Sequence, residues 1–163
     1  MSEKIVYLVG SLRNLEVPIL ANKLREKFPE WEIFDDWYSP GPNADDYLRD
    51  YSKGRGQTYK QALNSWAAKH IFDFDHYHID RADFGVLLMP AGKSGHMELG
   101  YMIGKGKPCF YVMEEGIERW DVMLQFCNLN GGAICDNIDE LIVELEELTI
   151  EVEECTVEDL QLK

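Results

Sequence analysis

The chain is short of positive charge: 16 lysine and arginine side chains stand against 30 aspartate and glutamate in 163 residues, a formal net charge of −14 at pH 7. Nucleic acids and anionic membranes are held by basic faces, so this balance argues against both as partners and points to small molecules. No apolar run approaches the ~20 residues of a membrane span. The N-terminal stretch MSEKIVYLVG lacks the long apolar segment of a secretion signal, and Cys109, Cys127, Cys135 and Cys155 show no C-x-x-C spacing. A reduced, cytoplasmic protein is expected. The dinucleotide fingerprint G-x-G-x-x-G is missing. His76 and His78, two apart on an expected helix, point in different directions. Neither a metal site nor a cofactor is expected.

What is present fits one domain with a core of its own. Apolar runs at Ile5–Val9, Trp31–Phe34, Phe84–Met89, Cys109–Met113 and Ala133–Cys135 read as five short strands, with helical periodicity between most of them. Helices are expected over Pro18–Phe28, over Gln57–Ala82, after Gly95, over Trp120–Phe126 and over Ile138–Leu148. The long second helix should bury Tyr59, Leu63, Trp66, Ile71 and Phe74 on one face. Strands alternating with helices build a parallel sheet. The pattern predicts one doubly wound, flavodoxin-like or Rossmann-like α/β domain over residues 1–148. Its five-stranded parallel sheet should have the order 2-1-3-4-5, with flanking helices and a ligand crevice between the first and third strands.

Two segments stand outside this pattern. Residues 149–163 extend an acidic stretch, with ten acidic residues and one basic from Asp139 to Lys163. Within it Thr149–Glu153 alternates as a half-exposed strand would, leaving an edge strand and a frayed tail both open. Asp35–Gly56 is rich in Gly, Pro, Asp and Tyr without a clear period, and a loop that long is usually a lid or a binding loop. Its Trp37, Tyr38 and Tyr47 can stack on an aromatic ligand, with Asp46 as a hydrogen-bond partner; core or surface packing is the alternative for each.

The crevice collects candidate chemistry. Glu98 lies in SGHMELGYMIGKGKP, after the buried run FGVLLMP. A helix starting there at the carboxyl edge of the sheet would hold Glu98 in its first turn, where free N–H groups and the helix dipole favour the ionised carboxylate. Such a group is a nucleophile or a cation stabiliser; a plain helix-start residue is the alternative. Tyr7, in the first strand, reaches either the crevice, with Glu98 a candidate partner, or only the core. Asp75, at the end of the long helix, either acts on a leaving group or sits on a solvated face. Asp83 caps a turn. Gly10, Ser11 and Arg13 in GSLRN form either a loop that admits an oxyanion or phosphate or an ordinary turn. Lys93, Ser94 and Gly95 make a polar loop at a helix N-terminus, fit for a 5′-phosphate or only a 5′-hydroxyl. His96 contacts a ligand or caps the helix.

Taken together, KIVYLVGSLRN, DHYHIDRAD followed by FGVLLMP, SGHMELGYMIGKGKP and ERWDVMLQF resemble the nucleoside 2-deoxyribosyltransferase family and the related 2′-deoxynucleoside 5′-phosphate N-hydrolases, over about Lys4 to Leu148. The resemblance implies Glu98 as the nucleophile at the anomeric carbon, Tyr7 as the group orienting it, and Asp75 as the acid that helps the base depart. It implies a homo-oligomer, a dimer or a multiple of dimers, in which Asp121 and Met123 complete a neighbouring subunit's site, Asp121 near the 5′ end of the sugar. Asp121 stands where the transferases carry an amide, and its charge should repel a 5′-phosphate. GSLRN and Ser94, by contrast, resemble the phosphate-holding groups of the hydrolases. The expected activity is therefore transfer of deoxyribose between nucleobases, or to water, from free 2′-deoxynucleosides. A deoxynucleoside 5′-monophosphate N-glycosidase is the enzymatic alternative, and a non-catalytic nucleotide-binding module is the alternative of another class.

Overall fold

The apolar runs become strands β1 (Ile5–Val9), β2 (Glu32–Phe34), β3 (Phe84–Leu88), β4 (Cys109–Val112) and β5 (Ala133–Cys135) in the computed structural model of the protein, which describes residues 3–116 and 120–161. All four pairings are parallel and the order is β2-β1-β3-β4-β5, as the alternation predicts. Because side chains alternate across a strand, β1 serves two cores. Val6 and Leu8 pack with α1 (Glu16–Lys27) and α6 (Ile138–Gln161) on one face. Tyr7 and Val9 pack on the other with α5 (Lys93–Gly104) and with Ile79 of α4 (Trp66–Arg81).

The structure corrects five expectations. The long second helix is broken into α3 (Tyr59–Leu63) and α4 at Asn64–Ser65. Thr58 and Gln61 form a reciprocal capping box at the start of α3, and the Ser65 hydroxyl accepts from Ala68 N at 3.2 Å to start α4. Each cap satisfies backbone donors that a continuous helix would have used, and so nucleates a new one. The face expected to be buried is exposed instead: Tyr59, Leu63, Trp66, Ile71 and Phe74 all face solvent in the single chain, Trp66 at 86%. The apolar stripe was read correctly as a stripe but assigned to the wrong neighbour, since α4 fully buries only Ile79 against the sheet.

The segment Asp35–Gly56 is not a bare loop. It holds a 3₁₀ turn at Asp36–Tyr38 and helix α2 (Ala44–Gly54), whose Ala44, Tyr47, Leu48 and Tyr51 stand at helical spacing although the helix fully buries only Ser52. At the other end of the chain α6 continues through the stretch that allowed an edge strand or tail, as far as Gln161. Once a helix is nucleated each further residue adds a hydrogen bond cheaply, and this acidic stretch contains several good helix formers. The remaining short helix, expected over Trp120–Phe126, is a 3₁₀ helix over Val122–Asn128. Glu118 and Arg119 of ERWDVMLQF, and residues 162 and 163, lie outside the described residues. Among the described residues no helix is long and apolar enough to cross a membrane.

Helix α4 is held at its C-terminal end by three devices. The Lys107 ammonium donates to the carbonyl oxygens of Ile79, Asp80 and Ala82 at 2.8, 2.6 and 2.6 Å, capping acceptors the helix leaves free. Arg81 pairs with Glu32 of β2 through both guanidinium nitrogens, one at 2.7 Å. The His78 ring stacks on Phe34 at 3.8 Å. One turn before Ile79 on the same side of the helix stands Asp75.

Candidate active site

Tyr7 is 1% exposed and pairs in register with Phe34 of β2 and Gly85 of β3. Its ring stacks on Phe34 at 5.4 Å. On the other side Gly85 presents no side chain; a Cβ there would lie 2.7 Å from Met102 Sδ. That vacancy lets α5 settle closely on the sheet. The buried side of α5 is Gly95, Leu99, Met102 and Ile103, and Glu98 lies at its margin, half-buried. Asp75 reaches the same place from α4, also half-buried. The three predicted catalytic side chains therefore converge: Glu98 feels the charge of Asp75, and Tyr7 feels both.

The ionisation of Glu98 differs from the expectation. Since α5 begins at Lys93, Glu98 stands in the second turn, past the free N–H groups that would stabilise its anion. Burial, and secondarily the Asp75 carboxylate, raises its pKa from 4.5 to about 7. Burial likewise lifts Asp75 from 3.8 to about 6. The Tyr7 hydroxyl is pushed up by burial and then by the two carboxylates, so it stays protonated and able to donate. Near neutrality the carboxyl pair is partly protonated, which is the condition for one to act as acid and the other as base or nucleophile.

The β1–α1 loop forms one wall. A Cβ at Gly10 would press to 2.8 Å on Val17, so only glycine lets this loop lie flat beneath Trp37. Ser11 organises the loop, its hydroxyl accepting from Arg13 N at 3.2 Å. Trp37 is fixed edge-on, its Nε1 donating to the Leu8 carbonyl at 2.7 Å, which makes it a wall of the crevice rather than a free stacking ring. Arg13 reaches across to Asp46 of α2 at 3.4 Å, and Asp46 also accepts from Arg49 at 2.7 Å. Asn14, the last residue of GSLRN, has a structural role that the motif alone does not suggest. It is 6% exposed, its amide donates to the carbonyls of Leu88 and Met89 at 3.4 and 3.2 Å, and its oxygen accepts from Glu16 N at 3.0 Å. It ties the β1 and β3 loops together; a polar side chain at a strand end beside Arg13 was the available signal.

The β3–α5 loop forms the other wall. Gly95 packs against β1, where a Cβ would meet Val9 at 3.1 Å. Ser94 is exposed, and His96 turns back to donate from Nδ1 to the Gly92 carbonyl at 2.8 Å, which caps none of the free N–H groups of α5. Ala91, Gly92, Lys93, His96 and Asp121 line an open cleft of about 620 Å³. Asp121 also caps the 3₁₀ helix through Met123 N at 3.0 Å. Met123 lines a shallow, mostly apolar hollow with Val122, Gln125, Phe126 and Leu129. Among the described residues no group of three or more His, Cys, Asp or Glu side chains is placed to share a metal ion.

No protein-family model matches the chain, and no curated protein sequence does. Solved structures share its fold. The CMP N-glycosidase BcmB of Clostridium botulinum superposes with a TM-score of 0.51 at 14% identity, covering 88% of this chain and 99% of that one. A 2-deoxyribosyltransferase from the psychrotolerant bacterium Bacillus psychrosaccharolyticus gives 0.52 at 17% identity, over 85% of this chain and 90% of that one. Likeness at this identity shows the α/β fold.

The raised carboxyls have a consequence for stability. Between their ordinary values of 4.5 and 3.8 and the folded values of about 7 and about 6, the folded protein binds more protons than the unfolded chain. Their contribution is therefore complete at acid pH and is lost as pH rises through about 7. His78, depressed by burial, acts in the opposite sense over part of that range, so the comparison that isolates the effect is with Glu98→Gln. Thermal melts at about pH 5 and about pH 7.5 should show the variant gaining on the wild type at the higher pH. An equal difference at both would contradict the raised Glu98.

Proposed function

We propose that the chain belongs to the nucleoside 2-deoxyribosyltransferase family and moves deoxyribose from 2′-deoxynucleosides to an acceptor nucleobase or to water. The observation that carries this reading is the convergence of two half-buried carboxyls with raised pKa values, from adjacent helices, over the hydroxyl of Tyr7. The sequence motifs and the shared fold support it. In this reading Glu98 attacks C1′ as the C1′–N bond breaks, the bonding pair leaves with the base, and Asp75 gives the base a proton. With the higher pKa of the pair, Glu98 holds the shared proton in the free protein; positive charge developing at C1′ favours ionised Glu98, and that proton passes to Asp75. Tyr7 donates to Glu98 and orients it. An acceptor nitrogen, or water, then displaces the ester from the same face while Asp75 takes a proton, restoring Glu98 and retaining the anomeric configuration.

The active unit is a homo-oligomer. Trp120 is 89% exposed, and Val122, Met123, Phe126 and Leu129 are exposed beside it; a contiguous apolar surface of this kind on a single chain calls for a partner. A second copy covering it brings Met123 toward the neighbouring site, whereas Asp121, expected to serve a neighbour, lines the cleft of its own chain beside Lys93 and His96.

The second reading, a monophosphate N-glycosidase, draws support from Arg13 at the crevice and Lys93 in the cleft. Against it, Arg13 is already paired with Asp46, and Asp121 adds a negative charge beside Lys93. Both disfavour a phosphate dianion.

Chromatography of wild-type protein with thymidine and adenine should yield deoxyadenosine, and Glu98→Ala should lose roughly three powers of ten in rate while keeping its fold. Near-normal turnover by that variant would remove Glu98 from the chemistry; saturable binding without product would favour a binding module. Freeing Arg13 with Asp46→Asn should raise kcat/KM for deoxynucleoside monophosphates relative to nucleosides by roughly tenfold, one phosphate-directed charge pair. An unchanged ratio would rule out Asp46 as the group that masks Arg13.

A further inference from the structure

Outside the crevice, α4 and α5 are joined by a polar network that the proposed chemistry does not use. Tyr101 of α5 donates its hydroxyl proton to Asp80 Oδ1 at 2.8 Å, and the Tyr101 hydroxyl oxygen lies 2.9 Å from His76 Nε2. A phenol has one proton, so His76 must donate from Nε2 to the Tyr101 oxygen. His76 Nε2 is also 3.5 Å from Asp80 Oδ2, and Lys105 closes the network 3.6 Å from Asp80 and 5.5 Å from the centre of the Tyr101 ring. Phe72 stacks under His76 at 5.2 Å, so Phe72, His76 and Asp80 form one stripe along α4, four residues apart.

The spacing connects this network to the site. His76 immediately follows Asp75, and Tyr101 lies three residues beyond Glu98, on the next turn of the same side of α5. A rotation or slide of α5 that broke the bonds of Tyr101 would carry Glu98 with it. Apart from a long contact of the Cys109 thiol with the Leu99 carbonyl at 4.0 Å, α5 meets the sheet through apolar side chains, which tolerate such motion better than directional hydrogen bonds do. We infer that Tyr101 is a positioning residue: bridging His76 and Asp80 of α4, its hydroxyl sets the separation and shielding of Asp75 and Glu98. The inference rests on the reading of those carboxyls as acid and nucleophile. With Tyr7 beneath them on β1, they form a site whose low water content depends on α4 and α5 staying together.

The test is Tyr101→Phe, which removes one oxygen, with Lys69→Ala as the control that breaks an ion pair within α4 (2.8 Å to Asp73) and leaves α5 untouched. Two readouts are needed. Carbon-detected NMR titration of the Asp75 and Glu98 carboxyls requires no turnover and should show both moving down toward ordinary carboxylate values in Tyr101→Phe, but not in Lys69→Ala. Deoxynucleoside turnover should show kcat falling by roughly ten- to a hundredfold at nearly constant KM, the cost of a small misplacement of reacting groups. Asp80→Ala should reproduce both changes if Tyr101→Phe folds poorly, and Asp80→Asn, which keeps an acceptor for the hydroxyl, should restore much of the loss. Wild-type titration in Tyr101→Phe would overturn the inference, whether kcat is unchanged or falls only with the melting temperature. Should the wild type turn over no deoxynucleoside, the proposed reaction fails and the titration alone decides the positioning role.

Discussion

Two carboxyl groups are kept largely out of water on one face of the sheet, and most of the local architecture is what that arrangement requires. Separating Asp75 and Glu98 from solvent raises both pKa values, and their mutual repulsion adds to the effect on Glu98. Uncompensated, such a pair drives its two helices apart. Instead α5 is drawn onto the sheet where Gly85 leaves room for Met102, and α4 is fastened by the Lys107 cap, the Arg81–Glu32 pair and the stack of His78 on Phe34. The destabilised ionisation is a local strain of the kind functional sites retain.

The crevice is assembled by loops that hold one another. Asn14 spends its amide on carbonyls of the β3 loop, Trp37 is hydrogen-bonded to the end of β1, and Gly10 allows the two to come close. This is the switch point between β1 and β3, where chain direction diverges and the carboxyl ends of the strands leave room for a ligand. The walls differ in charge. Arg13 is masked by Asp46, while the opposite cleft combines Lys93 with Asp121. A neutral sugar 5′ end suits that surround better than a dianion does, which is why the proposal names a free nucleoside.

The sheet was legible in the sequence because buried parallel strands are short, apolar and separated by helical periods, and because the first and third runs end in glycine-containing loops. Glu98, Tyr7 and Asp75 were legible as residues. Their ionisation was not, because it depends on which turn of α5 holds Glu98 and on how deeply α4 and α5 bury it. The break at Asn64–Ser65 was hidden by an apolar stripe that runs through it; sequence periodicity reports a stripe without saying whether the sheet or another surface covers it. Helix α2 carries Ala44, Tyr47, Leu48 and Tyr51 at helical spacing, but the surrounding Gly, Pro and Asp residues gave the whole segment the composition of a loop. Tyr101 and His76 gave no signal, since their geometry exists only once two helices separated by a strand are packed together.

In the proposed reaction Glu98 becomes covalently bonded to the sugar. Mass spectrometry of the protein after mixing with a 2′-deoxynucleoside and rapid acid quenching would detect that bond. The expected result is a mass increase of one deoxyribosyl group, carried by the peptide that contains Glu98. Release of free base from a protein that stays unmodified at every quench time, or a sugar attached elsewhere, would contradict it.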